Sequence, residues 1–277
     1  NTIIIEGKRK KGVSVKKITI KEAKSVAPGG DPAQITKLLP GVQAQNFGPQ
    51  ISVRGSSTQD NKYYADGLDV PFIYHGVAGV SILPEKVIDD INFSAGGFGS
   101  RYGNALGGVV SLKTKKEIPE EATTQIKINL PLYSGIYYET PIDESSLFSA
   151  SVRKSYLQLI LPKVLEEQTV IPSFWDSHIR YLKLLDKGYV NVLSVASLDS
   201  LKLVVPAGGD EEGNLKFDIN TYFGAIGTDF SYKLGDGWKV EGVPQSVFTR
   251  VINQFGDSYV RIRGFQYRLP INFQKEM

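Results

Sequence analysis

The chain has 277 residues, a net charge of +3 and 22% charged residues spread along its length. That balance excludes the concentrated basic footprint of a nucleic-acid binder, and the length allows one large domain or two modest ones. There is no cysteine, so thiol catalysis, disulfides and thiolate metal sites are excluded.

The amino end begins at Asn1, without a basic-then-apolar leader, and reads as a processed or trimmed product. The basic run Lys8 to Lys11 reads as a flexible segment rather than a binding patch. Asp31-Pro32 opens a small helix, with aspartate as N-cap, Ile35, Leu38 and Leu39 as its apolar stripe, and Pro40-Gly41 as its stop. Short strands follow at Ile51 to Arg54 and Lys62 to Tyr64, and Asp66-Gly67 makes a hairpin-type turn. Pro84 to Asp89 reads as a single helical turn, Ile91 to Phe93 as a strand, and Val109 to Thr114 as another.

Between them lies SAGGFGSRYGNALGGVV, residues 94 to 110, with its glycines crowded around Phe98, Arg101 and Tyr102. A dinucleotide-binding loop needs G-x-G-x-x-G between a strand and a helix. Here Gly103 arrives one position late after Gly97 and Gly99, and a strand follows instead of a helix. The phosphate reading fails.

After the KTKKEIPEE stretch the texture changes to long alternation. Ile126, Ile128, Leu130 and Leu132 alternate with Gln125, Lys127 and Asn129, and Leu215 to Phe223 behaves likewise. Aromatic residues recur near the expected strand ends: Tyr133, Tyr137, Tyr138, Phe148, Tyr156, Tyr189, Tyr222, Phe223, Phe230, Tyr259, Phe265 and Tyr267. They suit the interfacial girdles of a membrane barrel, and equally the core of a soluble sandwich. No apolar run approaches the roughly 18 to 20 residues of a membrane helix, which leaves barrel strands of about 9 to 11 residues open.

Four motifs occur in one order: KLLPGV (Lys37 to Val42), ISVRGSS (Ile51 to Ser57), YYADGLDVP (Tyr63 to Pro71), and the long closing run from Leu83 to Lys115. Together they resemble the plug domain of TonB-dependent outer-membrane receptors. SLFSASVRKSYLQLILP (Ser146 to Pro162) is similar to an early strand of the receptor barrel, and DVPFIYHGVAG (Asp69 to Gly79) to a plug loop of one subgroup. The resemblance implies an α+β plug domain followed by antiparallel transmembrane β-barrel strands, in a barrel of about 22 strands. The corresponding organisation is an N-terminal extension at 1–17, a plug at 18–117 and the N-terminal part of the barrel at 118–277.

The same resemblance supplies expectations for sites and partners. Arg54 and Arg101 would lock the plug to wall carboxylates, and the glycines of 94 to 110 would let the plug approach the wall closely. Thr2, Ile3, Ile4, Ile5 and Glu6 form a TonB-box candidate, which a TonB-type energy-transducing protein would capture as an added strand. An ordinary first strand is the competing reading of that segment. Phe47, Phe72, Tyr74 and His75 lie in loops that would offer an aromatic floor to an unidentified solute.

The expected function is energised import of a scarce solute across the bacterial outer membrane, with membrane lipid around the wall. The alternative is a plugged-barrel structural subunit among other outer-membrane subunits. About 160 residues after the plug supply only about eight strands, so the chain reads as a fragment, a partial receptor or half of a split barrel. No enzyme is expected. His75 and His178 lack metal-ligand spacing, no G-x-S-x-G occurs, and Asp66, Asp69, Asp89 and Asp90 read as turn residues rather than cation ligands. No cofactor, metal or nucleic-acid partner is expected.

Overall fold

The structure is a computed structural model that describes residues 15–26, 31–44, 51–76, 79–99, 102–130, 132–164, 170–206, 214–256 and 258–275. β1 (Val15–Thr19) runs directly into α1 (Ile20–Val26). Their junction is a reciprocal cap: Glu22 N–H donates to Thr19 Oγ1 at 3.3 Å, and Thr19 N–H donates to Glu22 Oε2 at 2.8 Å.

The small helix opened by Asp31-Pro32 is the 3-10 helix Pro32–Leu38. The Asp31 carboxylate turns away and accepts Ser81 N–H at 2.9 Å and Ser81 Oγ–H at 2.6 Å. Ile35 and Leu39 are buried beneath the segment, whereas Leu38 is exposed.

β2 (Val42–Ala44) and β3 (Ile51–Val53) form a small antiparallel pair. β4 (Lys62–Ala65) and β5 (Leu68–Val70) form a hairpin around Asp66 and Gly67, whose φ values of 49° and 82° are both positive, as the tight hairpin turn demands. β6 (Ile88–Ser94) and β7 (Val109–Thr114) complete a five-stranded sheet of order β1-β6-β7-β4-β5. Residues 84 to 87 form a turn closed by Val87 N–H to Pro84 O at 3.0 Å, and Ile88 is already in strand.

The glycines before β7 act inside this domain, which corrects their expected approach to the wall. β7 pairs in parallel with β4, so the chain must thread close beneath β3 to enter the sheet. A Cβ on Gly108 would lie 2.8 Å from Val53 Cγ2, and one on Gly107 would lie 2.6 Å from Asn61 Oδ1. Gly108 N–H donates to that same buried Asn61 oxygen at 2.7 Å. Close backbone approach is what glycine permits here.

The remaining strands are β8 (Thr123–Asn129), β9 (Tyr133–Asp143), β10 (Ser146–Ser155), then α2 (Leu157–Val164), β11 (Val170–Leu185), β12 (Gly188–Pro206), β13 (Asn214–Gly235), β14 (Trp238–Gly242), β15 (Gln245–Phe255), β16 (Ser258–Arg268) and β17 (Ile271–Lys275). They form one antiparallel ten-stranded wall. The extra strands beyond the roughly eight expected from barrel-strand lengths are the five-residue β14 and β17, which pair with each other.

Wall polarity is the reverse of a soluble protein's. On β11, Asp176, His178 and Arg180 are buried toward the inner domain, while Trp175, Ile179 and Tyr181 are exposed on the other face. Ile126, Ile136, Ile226, Phe248 and Phe265 are likewise exposed outward. An outward apolar band with a polar interior is the pattern of a membrane barrel. The expected girdle aromatics divide accordingly. Tyr138, Tyr259, Phe265 and Tyr267 face out, whereas Tyr133, Tyr137 and Phe223 are buried on the inner side.

The inner domain and the wall share one hydrophobic cluster. Leu68, Val70, Phe72 and Ile73 pack with Leu193, Val195, Phe223, Ala225 and Val247 of the wall, and Phe72 meets Phe223 edge-on at 5.1 Å.

Candidate functional site

Two polar junctions fasten the inner domain to the wall. The first is centred on His75, in the loop between β5 and β6. Its Nε2 lies 2.7 Å from Asp176 Oδ2 on β11, and its Nδ1 lies 2.9 Å from Asp199 Oδ1 on β12. A ring that donates from both nitrogens at once is an imidazolium. Burial disfavours that charge, but Asp199 and Asp176 outweigh it and raise the His75 pKa to about 9.

The carboxylates are themselves oriented. Arg153 on β10 donates from Nε to Asp176 Oδ1 at 2.9 Å and pairs through Nη2 with Oδ2, and it reaches back to the carbonyl of Ser81. Ser197 Oγ–H donates to Asp199 at 2.7 Å. The imidazole stacks on Phe174 with centroids 4.1 Å apart and planes 9° from parallel. Register explains why these groups converge: Asp176 and Asp199 lie on the inward face of neighbouring strands, with Phe174 opposite Asp199 and Ser197 opposite Asp176.

The second junction sits toward the opposite end of the strands, around the Asp66-Gly67 turn. Asp66 is buried and accepts Thr114 N–H at 3.0 Å and the Asn191 Nδ2 amide of β12 at 2.8 Å. Arg180 Nε–H donates to Asn191 Oδ1 at 2.8 Å and its guanidinium also caps the Lys115 carbonyl. Gln245 on β15 bridges the turn, accepting Asp69 N–H at 2.7 Å and donating to Gly67 O at 3.1 Å. Asp69 itself pairs with Arg268 of β16 at 2.9 Å. Burial lowers the pKa of Lys116, in the segment joining the two parts, although Asp229 opposes it.

These junctions revise the expected sites. Arg54 is exposed, on a turn with φ 51° that its backbone N–H fixes through Gly41 O at 2.7 Å, so it is not a buried lock in this structure. The buried arginines at the interface are Arg153 and Arg180, and both belong to the wall. Phe72, Tyr74 and His75 are buried between the inner domain and the wall, so they do not form a ligand floor here. Arg101, Phe47 and Thr2, Ile3, Ile4, Ile5 and Glu6 lie outside the described residues. Among the described residues no group of carboxylates and histidines could hold a metal ion.

Sequence reasoning missed Asp176, Asp199 and Arg153 because it placed the arginines of the lock on the plug and singled out no wall carboxylate. The usable signal was the stretch FWDSHIRY, where charged residues alternate with large apolar ones over Phe174 to Tyr181.

A small domain packed against the inward face of an antiparallel wall whose outward face is apolar is the arrangement of a plugged membrane barrel, and comparison with known proteins agrees. Residues 7–109 match the family described as TonB-dependent Receptor Plug Domain. The chain is 32% identical over 110 residues to the TonB-dependent transporter Oar of Myxococcus xanthus, a match covering 38% of this chain and 10% of that protein. Its fold is similar to the copper transporter OprC (TM-score 0.57, 11% identity, covering 89% of this chain and 48% of that one). It is also similar to the unliganded ferric citrate transporter FecA (TM-score 0.53, 14% identity, covering 95% and 54%). Residues 7–109 thus carry the match to the plug family, and the strands after them share the fold of the two solved receptors. The chain spans about half the length of those two solved receptors and a tenth of the curated relative.

Proposed function

We infer that the protein binds a scarce solute at the cell surface and imports it when an energised partner displaces the plug. The observation that carries this reading is how the plug is held. Its two junctions with the wall are directional hydrogen bonds and ion pairs, centred on His75 and Asp66. Contacts of that kind have a defined geometry, and a pull that disturbs it releases them together. Coupling is mechanical in this account, and the protein performs no catalytic step.

By the general arrangement of such barrels, short turns face the periplasm and long connections face outward. β9–β10, β11–β12 and β13–β14 join through short turns at 144–145, 186–187 and 236–237, whereas the other end carries the long connections 156–169 and 207–213 beside short ones at 130–132 and 256–257. The His75 junction then lies in the outer part of the lumen and the Asp66 junction in the inner part. The segment Thr2 to Glu6 would extend into the periplasm, where a TonB-type partner could add to it as a strand.

Copper and ferric citrate, the cargoes named for the two similar structures, are the first solutes to test. Cells expressing the full protein should accumulate one of them only while the membrane is energised. Ile4→Pro should abolish that uptake and preserve surface binding, because proline cannot donate to an added strand. Uptake that survives an uncoupler contradicts energised import. Absence of energy-dependent uptake across a wider solute panel favours a structural subunit instead.

A further inference from the structure

Among the described residues, the outward face of the wall carries a cluster of three arginines. Arg250 on β15 stands directly opposite Arg263 on β16, and Arg261 follows on the same face, opposite Ile252. The facing is fixed by alternation. Gln245 and Val247 of β15 are buried toward the plug, and Arg250 is offset from them by an odd number of positions.

The cluster has a defined level. One cross-strand row runs Lys154, Trp175, Leu198, Tyr222, Arg250, Arg263. On the tight-turn side of this row the outward face holds Val152, Ile179, Ile226, Phe248 and Phe265, all exposed. On the long-loop side the next row runs Ser173, Ser200, Asn220, Ile252 and Arg261, polar but for Ile252. The arginines therefore mark the boundary where apolar surface gives way to polar surface, at the height of lipid headgroups.

Nothing in the described protein neutralises them. Like charges directly opposite across a strand pair are destabilising. Arg250 Nε is buried without a hydrogen-bond partner. The acidic residue nearest along the outward face, Asp218, lies opposite Gln254, two rows beyond Arg250 and one beyond Arg261 toward the loops. The guanidinium groups instead rest against rings: Arg250 is 5.6 Å from the Tyr222 centroid and Arg261 is 5.2 Å from that of Tyr259. A guanidinium lying on a ring keeps its in-plane N–H donors free, and that planar fork matches phosphate oxygens.

We propose that Arg250, Arg261 and Arg263 form a site for the phosphate of a lipid headgroup in the outer leaflet. Phosphate relieves the Arg250–Arg263 repulsion, and the lipid's chains lie along the apolar band below. The inference rests on the membrane-facing assignment of the wall and not on solute import, so lipid binding and uptake can fail independently.

The test uses the full protein in a neutral detergent, with dioctanoyl phosphatidic acid as probe. Dioctanoyl phosphatidylcholine and inorganic phosphate serve as controls, and bound lipid is counted by native mass spectrometry. A juxtamembrane cation contributes about a fivefold factor to anionic-lipid affinity. The wild type should prefer phosphatidic acid over phosphatidylcholine by more than tenfold, and the combined Arg250→Gln, Arg261→Gln, Arg263→Gln variant should lose that preference. Arg263→Gln alone, at an exposed side chain, should lower it about fivefold and keeps the test intact if the triple variant does not fold. Equal preference in wild type and variants overturns the site. Displacement of the lipid by equimolar inorganic phosphate overturns the lipid assignment.

Discussion

His75 of the plug lies 2.7 Å from Asp176 and 2.9 Å from Asp199, so one plug side chain closes a bridge between two neighbouring wall strands. All three charges depend on the same arrangement, because Arg153 neutralises Asp176 from the opposite side. Removing one partner from a buried pair costs roughly 3 to 5 kcal/mol, since the other is left charged and dry. His75→Gln and Asp176→Asn should each cost that order of stability, read as a lower unfolding midpoint of the purified protein.

The same bridge is pH-dependent. The His75 pKa is raised to about 9 against an ordinary value near 6.5, so the folded form holds its proton more tightly than the unfolded chain. That stabilisation is fully present below pH 6.5 and is lost as pH rises through about 9. Hydrogen exchange in residues 71 to 76 should accelerate between pH 6.5 and 9.5 beyond the intrinsic base-catalysed rate, and His75→Gln should remove the excess. An equal excess in both proteins contradicts a charged His75.

Gly67 tests the second junction. Its φ of 82° lies in the left-handed region, and an added Cβ would lie 2.8 Å from Val243 Cγ2. Gly67→Ala should destabilise by about 1 to 2 kcal/mol from conformation alone, with a further penalty from the contact. Gly103→Ala, where a Cβ meets nothing within 4 Å, should be far milder.

How much of this was legible in the residues depends on the range of the interaction involved. The Asp66-Gly67 hairpin was readable because its φ values are set by two adjacent residues. The plug and barrel classes were readable from the ordered motifs and the resemblance they carry, whereas the long alternation alone suited a soluble sandwich equally. The bond from Asp31 to Ser81 was not readable, because it joins residues fifty positions apart. Nor was the His75 bridge, whose partners lie 101 and 124 positions downstream on two neighbouring wall strands. Arg54 illustrates the converse: a motif arginine was assigned burial, but the turn it occupies holds it outward.

Arg54 and Arg153 therefore make a paired prediction. Arg153→Ala strips Asp176 of its guanidinium and frees the Ser81 carbonyl, so the unfolding midpoint should fall steeply. Arg54→Ala should leave it unchanged. The reverse order would restore the motif arginine as the lock.

Ion conductance of the full protein in a planar bilayer tests the central claim most directly, that polar junctions hold the plug against the wall. A Cβ at Gly67 would lie 3.6 Å from Val243 Cβ, within disulfide range, so Gly67→Cys with Val243→Cys, in a full protein whose other cysteines are replaced by serine, provides a reversible tether. The wild type should remain closed, Asp176→Asn should leak, and adding the oxidised tether to Asp176→Asn should reduce the leak until a reductant restores it. Conductance in Asp176→Asn identical to the wild type, with no response to the tether, would contradict the account.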